Sequence, residues 1–560
     1  MGVPGLWEVL RPAATRSSLS ALCKTAFFAN RNGLRALTIG VDASLWIFHA
    51  QCVPQGGENP FVRTIWFKIC TLLQQPVLPV FVFDGPDKPG SKRGKSVSGA
   101  FGTSDGHSLQ FKQILDNCGL EWWNRSLRSN SANLSGTSHT ATSKGDMKTY
   151  EIYRSSDIAS AWGDKQGSAL QSEEDCRIAM IFVAMLAGGD YVPQGLDAFG
   201  PTIAFALANA GMSADLSLFL SSPAAFSAAV PALKERIMAE LRTNSTGFVG
   251  RKYPSRADKV ANLTSAELFN LPALQSYLRP ATSPISNPAA GWPGFGKGVS
   301  IHAKRGMGRN GGRGDLEGMA RACEKFFEWG TKELVVKRFA SEGTGVFGAE
   351  LISAARSRRK EQDGTTEAGP RIAVAGPSIQ GRLTSYFGST SAPSSSRLPS
   401  KSVSREPSPA HTIPTPSYLL QIERTRPDPT CPDLTEYRIQ YDIKPFMART
   451  QGAMDGHRPD PKDLSPEERA ALGLVNAEVD DDGDEPSASQ AKKKKADVAE
   501  KGTARVWIAD WLVKEAWPVL VEQWDDKEAA KLAKLAAKGK GRTKTVKPAT
   551  PKKSKGKGKE

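Results

Sequence analysis

The sequence predicts an α/β fold built on a parallel sheet, followed by a mostly helical region and a small second domain. Two short apolar runs, ALTIGVD (36–42) and VLPVFVFD (77–84), are rich in Val, Ile and Phe and each ends in Asp, as buried strands do at a ligand-binding edge. An amphipathic segment, NPFVRTIWFKICTLLQQ, lies between them. Because a crossover helix joins strands of the same direction, the strands should be parallel, with helices on both faces of the sheet.

The next elements complete the first predicted domain, residues 1–123. The segment FKQILDNCGLEWW (111–123) reads as a further helix and a third strand. Residues 124–172 are polar and rich in Ser, Thr and Gly, so we predict an irregular segment with one ordered island, YEIYRSSDI (150–158).

A helical region is predicted over residues 173–360. The helix SEEDCRIAMIFVAMLA opens with Ser172 and Asp175, which fit a capping box, and Gly188-Gly189 should end it. The acidic residues of its first turn are explained by the helix dipole. Helical patterns continue beyond Pro201, interrupted by a Gly/Arg-rich loop at 296–315.

The rest of the chain alternates between disorder and a split module. Residues 361–416 are rich in Ser, Pro and Thr and predict a disordered linker. An α+β module follows over 417–525, with alternating strands first and a strand plus amphipathic helix last, around a disordered insert at 450–503. Residues 526–560 predict a disordered basic tail, with thirteen Lys and Arg against three acidic residues.

Composition restricts the function classes. The formal net charge is +16, and the basic tail carries ten of these charges, so it can bind a polyanion by releasing counterions. The seven cysteines include no C-x-x-C pair and the six histidines do not cluster near them, which predicts reduced intracellular thiols and no zinc site. The longest apolar run, AMIFVAMLA (179–187), is about half the length that crosses a bilayer, so we expect a soluble protein without a membrane partner.

Acidic residues at the strand ends suggest a metal site. Asp42 and Asp84 end neighbouring strands, and Asp190 follows a buried helix through two glycines. Carboxylates converging at one sheet edge suit Mg²⁺ or Mn²⁺, and two such ions can promote phosphodiester hydrolysis. The alternative, that these residues are helix caps and turn formers, stays open on spacing alone.

A basic segment, KPGSKRGK, follows Asp84 directly. Lys92, Arg93 and Lys95 would lie near the same edge and could hold a scissile phosphate. The alternative is a solvated basic loop.

Four segments in order resemble the XPG family of structure-specific flap endonucleases: MGVPGLWEVLRP, IGVDASLWIFHAQ, FVFDGPDKPGSKRGK and LAGGDYVPQGLDAFGPTIAFALA. The stretch TNSTGFVGRKYPS (243–255) and the split module are most similar to its Holliday-junction resolvase branch, the fungal Yen/GEN type. The resemblance implies a PIN-like sheet, a helix-two-turn-helix region and a chromodomain-like module. It also implies nuclear, Mg²⁺-dependent cleavage of flaps or Holliday junctions in DNA repair and recombination, and it leaves pairing of two copies on DNA open.

The resemblance assigns roles to individual residues. It implies that Asp42, Asp84 and Asp190 are metal ligands and that the amine of Gly2 lies near the active site. It also implies that Lys92, Arg93 and Lys95 are the basic residues at the start of a helix that lies over the scissile phosphate. Residues with implied DNA-binding roles are Gly195 and Gly200, in a hairpin whose carbonyls hold K⁺, and Arg251 and Lys252, for which ordinary surface charge remains the alternative.

One family segment is missing. The family continues from a strand like GLEWW into a Pro-Gly-Glu-Ala-Glu-Ala-Glu helix and a strand ending Ser-Asp-Asp-x-Asp, whereas here Trp123 is followed by NRSLRSNSANLSG. About four of the roughly seven metal ligands would be absent, so we expect impaired catalysis and exposed apolar faces on the remaining core. The chain is then an impaired nuclease, a non-catalytic binder of branched DNA, or a sequence lacking an exon.

The linker contains a segment, QGRLTSYF, that resembles the peptide by which repair proteins dock on the sliding clamp, PCNA. One helical turn would place Leu383, Tyr386 and Phe387 on one side, with Gln380 beside them. Chance occurrence is the alternative. The KKKK run (492–495) and the basic tail suit nuclear import, or else non-specific DNA binding.

Overall fold

The computed structural model describes most of the chain. The described residues are 3–31, 33–53, 57–84, 91–92, 95–96, 106–125, 149–279, 314–341, 345–366, 415–459, 464–471 and 502–540.

The first part of the chain forms short helices and strands in alternation. They are α1 Leu6–Leu10, β1 Thr15–Ser18, α2 Leu19–Ala29, β2 Leu37–Asp42, α3 Ala43–Cys52, α4 Pro60–Leu73, β3 Val77–Asp84, β4 Ser91–Lys92, β5 Lys95–Ser96, α5 Gly106–Cys118, β6 Glu121–Arg125 and β7 Thr149–Ile152.

The predicted parallel sheet is present and has the order β2-β3-β6. The central strand β3 is buried on both faces: Phe81 contacts Trp46 of α3 at 5.2 Å between ring centroids and Phe111 of α5 at 5.4 Å. On the other face, Leu78 lines a small cavity together with Ile352, from a helix far along the chain. The fold class read from the sequence is therefore confirmed for this sheet.

The sheet is incompletely covered at β2, its edge strand. Thr38, Gly40 and Asp42 alternate along β2 and are exposed, so helices do not cover this strand on both faces. On α3, which follows β2, Leu45 is 56% exposed and Phe48 52% exposed. Exposure of apolar surface is the consequence expected from the missing helix and strand.

A second cluster of buried side chains is built from the helical region. Its helices are α6 Ser155–Gly163, α7 Glu173–Ala187, α8 Pro201–Asn209, α9 Leu218–Ser221, α10 Pro223–Thr243, α11 Pro254–Ala261, α12 Ser265–Leu268 and α13 Leu271–Leu278. The capping box of Ser172 and Asp175 and the end of α7 before Gly188 are as predicted.

The segment predicted to be irregular is partly ordered. Within 124–172, β7 pairs antiparallel with β1, with Thr15 opposite Ile152, and α6 follows. The N-terminal residues Leu10 and Ala13 belong to this second cluster as well. The partner of β7 lies more than a hundred residues earlier, so no local pattern could indicate the pairing.

The C-terminal part begins with three helices that return to the first core. The elements are α14 Leu316–Phe326, α15 Lys332–Ala340, α16 Val346–Thr366, β8 Leu419–Asp428, β9 Cys431–Asp442, α17 Lys444–Gly452, α18 Pro466–Ala471, β10 Thr503–Ala509, α19 Asp510–Ala516 and α20 Pro518–Lys540.

The strands of the split module form an antiparallel sheet of order β10-β9-β8, as the alternating patterns predicted. Three boundaries differ from the predicted ones. α16 continues to Thr366 into the predicted linker, α18 lies inside the predicted disordered insert, and α20 continues to Lys540 into the predicted disordered tail. The last of these extensions is rich in Ala, Lys and Leu, which are strong helix formers.

The C-terminal module is not separate from the parallel sheet, because their buried side chains form one cluster. Trp511 of α19 packs on Phe27 of α2 at 5.1 Å between ring centroids. A Cβ added at Gly348 of α16 would lie 2.6 Å from a methyl carbon of Val506 in β10, so the glycine permits close packing.

Polar contacts reinforce this junction. The buried Glu324 carboxylate accepts hydrogen bonds from the backbone N–H groups of Asp455 and His457, each at 2.9 Å. Arg449 of α17 pairs with Glu317 at 2.6 Å and with Glu350 at 2.9 Å. Burial alone would raise the pKa of Glu317, but the hydrogen bonds from Arg449 lower it to about 2. This contribution to stability is therefore present above the unfolded pKa of Glu and is lost as the pH falls towards 2.

None of the described helices is by itself long and apolar enough to span a membrane. One bent pair, Pro201–Asn209 with Ala214–Ser221, meets that criterion by length and composition only.

The shared core predicts that the two sheets unfold together. Trp511 is 4% exposed, so Trp511→Ala should lower the free energy of unfolding by about 3–5 kcal/mol. Hydrogen exchange should accelerate in β3 as well as in β10, because the same cluster supports both strands. The control is Leu535→Ala, at a residue that is 59% exposed, which should change neither quantity. Faster exchange in β10 alone would show that the module unfolds independently.

Candidate active site and nucleic-acid interface

The carboxyl edge of the parallel sheet carries the first two predicted metal ligands. Asp42 is the last residue of β2 and lies opposite Val82, while Asp84 is the last residue of β3. One Asp42 oxygen accepts a hydrogen bond from the backbone N–H of Ser44 at 2.9 Å and so caps α3. The capping alternative is therefore real for Asp42, but its other oxygen stays available because the residue is exposed.

In the basic segment beyond β3, the described residues 91–92 and 95–96 are extended and not helical. Lys92 pairs with Lys95, and Ser91 with Ser96, so the described residues form a short antiparallel pair with Arg93 and Gly94 between them. The helix start implied for Lys92, Arg93 and Lys95 is thus wrong at Lys92 and Lys95. Pro89, Gly90 and Gly94 in this stretch disfavour a helix.

The third predicted ligand, Asp190, lies in the hairpin between α7 and α8, which packs on the second core. The hydroxyl of Tyr277 accepts a hydrogen bond from the backbone N–H of Tyr191 at 3.1 Å. The two tyrosine rings also contact each other, with 4.7 Å between their centroids. Burial raises the pKa of Tyr277, and the charge of Asp190 adds to this. Tyr277 therefore helps to fix the backbone that carries Asp190.

The hairpin from Gly188 to Gly200 depends on two glycines. Gly195 has φ +60°, and a Cβ added there would lie 2.5 Å from the backbone of both Gly188 and Leu186. Gly188 has φ +99°, and its Cβ would lie 2.8 Å from the carbonyl oxygen of Pro193. The turn is closed by a hydrogen bond from the Leu196 N–H to the Leu186 carbonyl, at 2.7 Å. Only glycine fits at these two positions, because any Cβ atom would collide with neighbouring backbone.

Gly200 has a different role in the same hairpin. It precedes α8 with φ −91°, and no atom lies within 4 Å of a Cβ added there. Neither backbone strain nor internal packing requires glycine at this position. Without a side chain, Gly200 leaves open space at the surface before α8.

The two predicted phosphate contacts lie on the loop before α11. Arg251 and Lys252 are both exposed. The guanidinium of Arg251 lies 4.9 Å from the ring centroid of Tyr253. In the next helix, Lys259 forms an ion pair with Asp197 of the hairpin, which connects the two surface elements.

The donor set does not fit a two-ion centre as described. No group of three or more His, Cys, Asp or Glu side chains among the described residues is placed to hold a metal ion. The Asp84 side chain lies outside the described atoms, so its convergence with Asp42 and Asp190 stays a prediction. Asp42 supplies a hard oxygen ligand at an exposed edge, which suits a hydrated Mg²⁺, but two ions about 4 Å apart need more carboxylates.

Several predicted residues lie outside the described residues. They are Gly2, Arg93 and the four residues of the clamp-docking segment, Gln380, Leu383, Tyr386 and Phe387.

Sequence reasoning missed the residues that organise the site from within. Tyr277 and Lys259 each act through a contact with a distant segment that their local pattern does not reveal. Tyr253 contacts the nearby Arg251, and a local signal for this contact was present, an aromatic residue between two arginines in GRKYPSR, which suggests stacking of guanidinium groups.

Two family models match the chain. Residues 1–97 match the XPG N-terminal domain, and residues 418–527 match the Holliday junction resolvase Gen1 C-terminal domain.

Two curated proteins are similar in sequence. Flap endonuclease GEN homolog 1 of Homo sapiens is 30% identical over 231 residues, and that of Mus musculus is 27% identical over 231 residues. In both cases the match covers 36% of this chain and 24% of the relative, so the chain matches about a quarter of the length of these relatives.

Solved structures resemble the whole fold. A eukaryotic junction-resolving enzyme GEN-1 with potassium has a TM-score of 0.53 at 18% identity. The Holliday junction-resolving enzyme GEN1 with product DNA and Mg²⁺ has a TM-score of 0.53 at 17% identity. Each alignment covers 94% of this chain and 100% of the other. The likeness confirms the predicted fold class. The two domain matches and the sequence relatives support the predicted resemblance to the XPG family and to its GEN-type Holliday junction resolvase branch.

Proposed function

We propose that the chain is a structure-specific DNA endonuclease of repair and recombination, which hydrolyses phosphodiesters at flaps or Holliday junctions. The observation that carries this proposal is the hairpin Gly188–Gly200, whose tight backbone turn depends on Gly188 and Gly195, in a chain that matches both the XPG N-terminal and the Gen1 C-terminal domain. Arg251 and Lys252 are exposed on the loop before α11, and Lys259 of α11 forms an ion pair with Asp197 of the hairpin. The curated relatives are flap endonucleases by name, and a GEN1 structure contains product DNA with Mg²⁺.

The proposed cofactors are Mg²⁺ or Mn²⁺ at the sheet edge, and K⁺ at the hairpin. A GEN1 structure with Mg²⁺ and Mn²⁺ and a GEN-1 structure with potassium support this choice. Asp42, Asp84 and Asp190 would hold a single divalent ion, which when bound would supply an activated water for phosphodiester hydrolysis. The hairpin carbonyls around Gly195 and Gly200 would hold K⁺ against a DNA phosphate.

The other residues of the chain position the DNA. Lys92, Arg93 and Lys95 would neutralise the scissile phosphate, with the amine of Gly2 nearby. The N-terminal segment lies close to the hairpin, because Gly5 packs against Pro201 at the start of α8. A Cβ added at Gly5 would lie 2.5 Å from a Pro201 ring carbon. With few acidic residues at the sheet edge, we expect slow cleavage. A purely binding role would explain the same deficit, but the relatives favour the nuclease.

The linker and tail support finer proposals. We propose that Gln380, Leu383, Tyr386 and Phe387 dock on the sliding clamp, PCNA, and that the basic runs direct the protein to the nucleus. Pairing of two copies on a junction stays a prediction.

Asp42→Asn tests the metal edge. Asn keeps the cap on the Ser44 N–H but removes the charge, so the fold should persist. The rate of cleavage of a labelled four-way junction and a 5′ flap in Mg²⁺ should fall by more than roughly 100-fold. Loss of a residue that only supports a metal ligand costs roughly 10–100-fold, and Asp42 is proposed to bind the metal directly. DNA affinity should be retained. The matched control is Asp442→Asn, because Asp442 accepts a hydrogen bond from the Lys444 N–H at 3.0 Å in the same local arrangement. Equal cleavage by wild type and Asp42→Asn would contradict the role of Asp42, and no cleavage by wild type would indicate a binder.

Gly200→Ala tests the hairpin. The added methyl group meets no protein atom, so thermal stability should not change. Affinity for duplex DNA should fall about tenfold, equivalent to about 1.4 kcal/mol, and its dependence on K⁺ should weaken, because the methyl group would occupy the space of the ligand. Gly452→Ala is the control, since its Cβ also meets open space but lies in the C-terminal module. Unchanged affinity and K⁺ dependence in Gly200→Ala would remove Gly200 from the interface.

The docking proposal has its own test. Tyr386→Ala combined with Phe387→Ala should abolish binding to purified clamp in a pull-down, because both aromatic anchors are lost. Thr384→Ala combined with Ser385→Ala alters the intervening positions and should leave binding intact. Clamp binding by the aromatic double variant at wild-type strength would refute the proposal.

A further inference from the structure

A groove with excess positive charge lies on the C-terminal module, between the antiparallel sheet and α20. Its volume is about 520 Å³. Among the described residues, five cations and two carboxylates line it, so its formal net charge is +3. The cations of this module groove are Arg424, Arg438 and Arg505 from the sheet and Lys527 and Lys531 from α20.

The sheet supplies one wall of the module groove. Arg424 of β8 lies directly opposite Arg438 of β9 in the register, so both side chains project from the same face of the sheet. Like charges that face each other across two strands destabilise a sheet, and a bound anion would offset this repulsion. Arg424 is exposed and forms no ion pair in the part of the chain that the structure describes. Its charge is therefore available to a ligand.

The next strand adds a cation that is partly neutralised. The Nε–H of Arg505 in β10 donates to both carboxylate oxygens of Glu423, at 2.7 and 2.8 Å. A guanidinium group has five N–H donors in total, so Arg505 retains donors for a further acceptor. On the other side of Arg438, the ring of Trp507 lies 5.7 Å from its guanidinium, which restricts the arginine before a ligand binds.

One side of α20 supplies the opposite wall. Trp524, Lys527, Glu528 and Lys531 follow each other at the spacing of one helix face. Trp524 is half-buried and packs against the main buried cluster, which fixes this part of α20 on the module. Lys531 lies 3.3 Å from Glu528, whereas Lys527 forms no ion pair with a carboxylate among the described residues. The helix wall thus carries a second available positive charge.

The surface of α20 beyond the module groove is apolar. Leu532 is 65% exposed and Leu535 is 59% exposed. Each follows a groove residue by four positions, Glu528 and Lys531 respectively, so the leucines lie next to the groove on the helix surface. A ligand that leaves the groove along α20 therefore passes from positive charge to apolar side chains.

This combination favours a peptide over a nucleic acid as the ligand. A duplex presents phosphates at regular intervals, which gain nothing from exposed leucines and are repelled by Glu423 and Glu528. An acidic peptide can place carboxylates on the guanidinium groups and apolar side chains on the leucines.

We propose that the module groove binds an acidic peptide segment of a partner protein. Carboxylates of the peptide contact Arg424, Arg438 and Lys527, and its apolar side chains pack on Leu532 and Leu535. The proposal goes beyond the nuclease function, because it assigns a protein-binding site to the module, and it does not depend on cleavage.

A labelled peptide of Asp-Asp-Leu-Phe repeats tests the charged part of the groove. Fluorescence anisotropy with the full chain should show binding that weakens several-fold in Arg424→Gln, and the difference should shrink at high salt because the charges are screened. Lys444→Gln is the control of equal charge loss, since Lys444 is exposed on α17 outside the groove, and it should keep the wild-type affinity. Absence of binding to the wild type, or equal binding by Arg424→Gln, would overturn the proposal.

The leucines are tested with a second variant and a second peptide. Leu532→Ala combined with Leu535→Ala should weaken binding of the repeat peptide several-fold at unchanged thermal stability, because both residues are exposed. Binding of a peptide with Ser in place of Leu and Phe should be weaker in the wild type and should not change further in this variant. Repeat-peptide binding that ignores the double substitution would remove the leucines from the site.

Two other occupants of the groove would be revealed by the same assays. If the wild type ignores the peptide while Arg424→Gln weakens binding to duplex DNA, the groove is a nucleic-acid surface and the proposal fails. If the peptide binds only after Asp480, Asp481 and Asp482 are replaced by Asn, the acidic segment of this chain fills the groove and an outside partner is ruled out. Neither result affects the proposed nuclease, because the Asp42→Asn cleavage assay does not involve the groove.

Discussion

Burial of the central strand β3 on both faces is the constraint on which the rest of this structure depends. Its aromatic face is covered by α3, which precedes it closely in the sequence, and by α5, which follows it closely. Its other face needs α16, which begins more than 250 residues further on. α16 is in turn packed against β10 through Gly348. Because α16 covers the second face of β3 and also packs on β10, the C-terminal module shares one buried core with the parallel sheet.

The same constraint explains where the fold is weak. Among the described strands, β2 has a neighbour on one side only, and α3 beside it exposes Leu45 and Phe48. The uncovered edge is also the edge that carries Asp42. The missing helix and strand of the family pattern would thus remove both cover and metal ligands at one place, so a loss of stability and a loss of catalysis would have a common physical origin.

The side of the molecule for which we propose DNA binding depends on different physical interactions. The hairpin brings backbone segments close together, which requires glycine at Gly188 and Gly195, because a side chain would collide with neighbouring backbone. In the loop before α11, the buried Glu240 carboxylate accepts hydrogen bonds from the Ser245 and Thr246 hydroxyls and so supports the loop backbone. Hairpin and loop contribute apolar side chains to the same buried cluster, and the exposed Lys259–Asp197 ion pair adds a surface contact between the hairpin and α11.

The sequence alone determined the local elements and the chemistry of single positions. The apolar runs predicted β2 and β3, the Ser172–Asp175 spacing predicted the start of α7, and the paired glycines predicted its end, because hydrophobic periodicity and capping are local properties. The family resemblance, and not a local pattern, placed Gly195 and Gly200 in a hairpin, and both lie between α7 and α8. Only the tertiary structure decided that β7 pairs with β1, that Tyr277 supports the hairpin, and that the C-terminal module shares the core of the parallel sheet. Each of these contacts joins segments from about 90 to more than 450 residues apart. Burial between such segments depends on complementary shape, and shape exists only once the chain has folded.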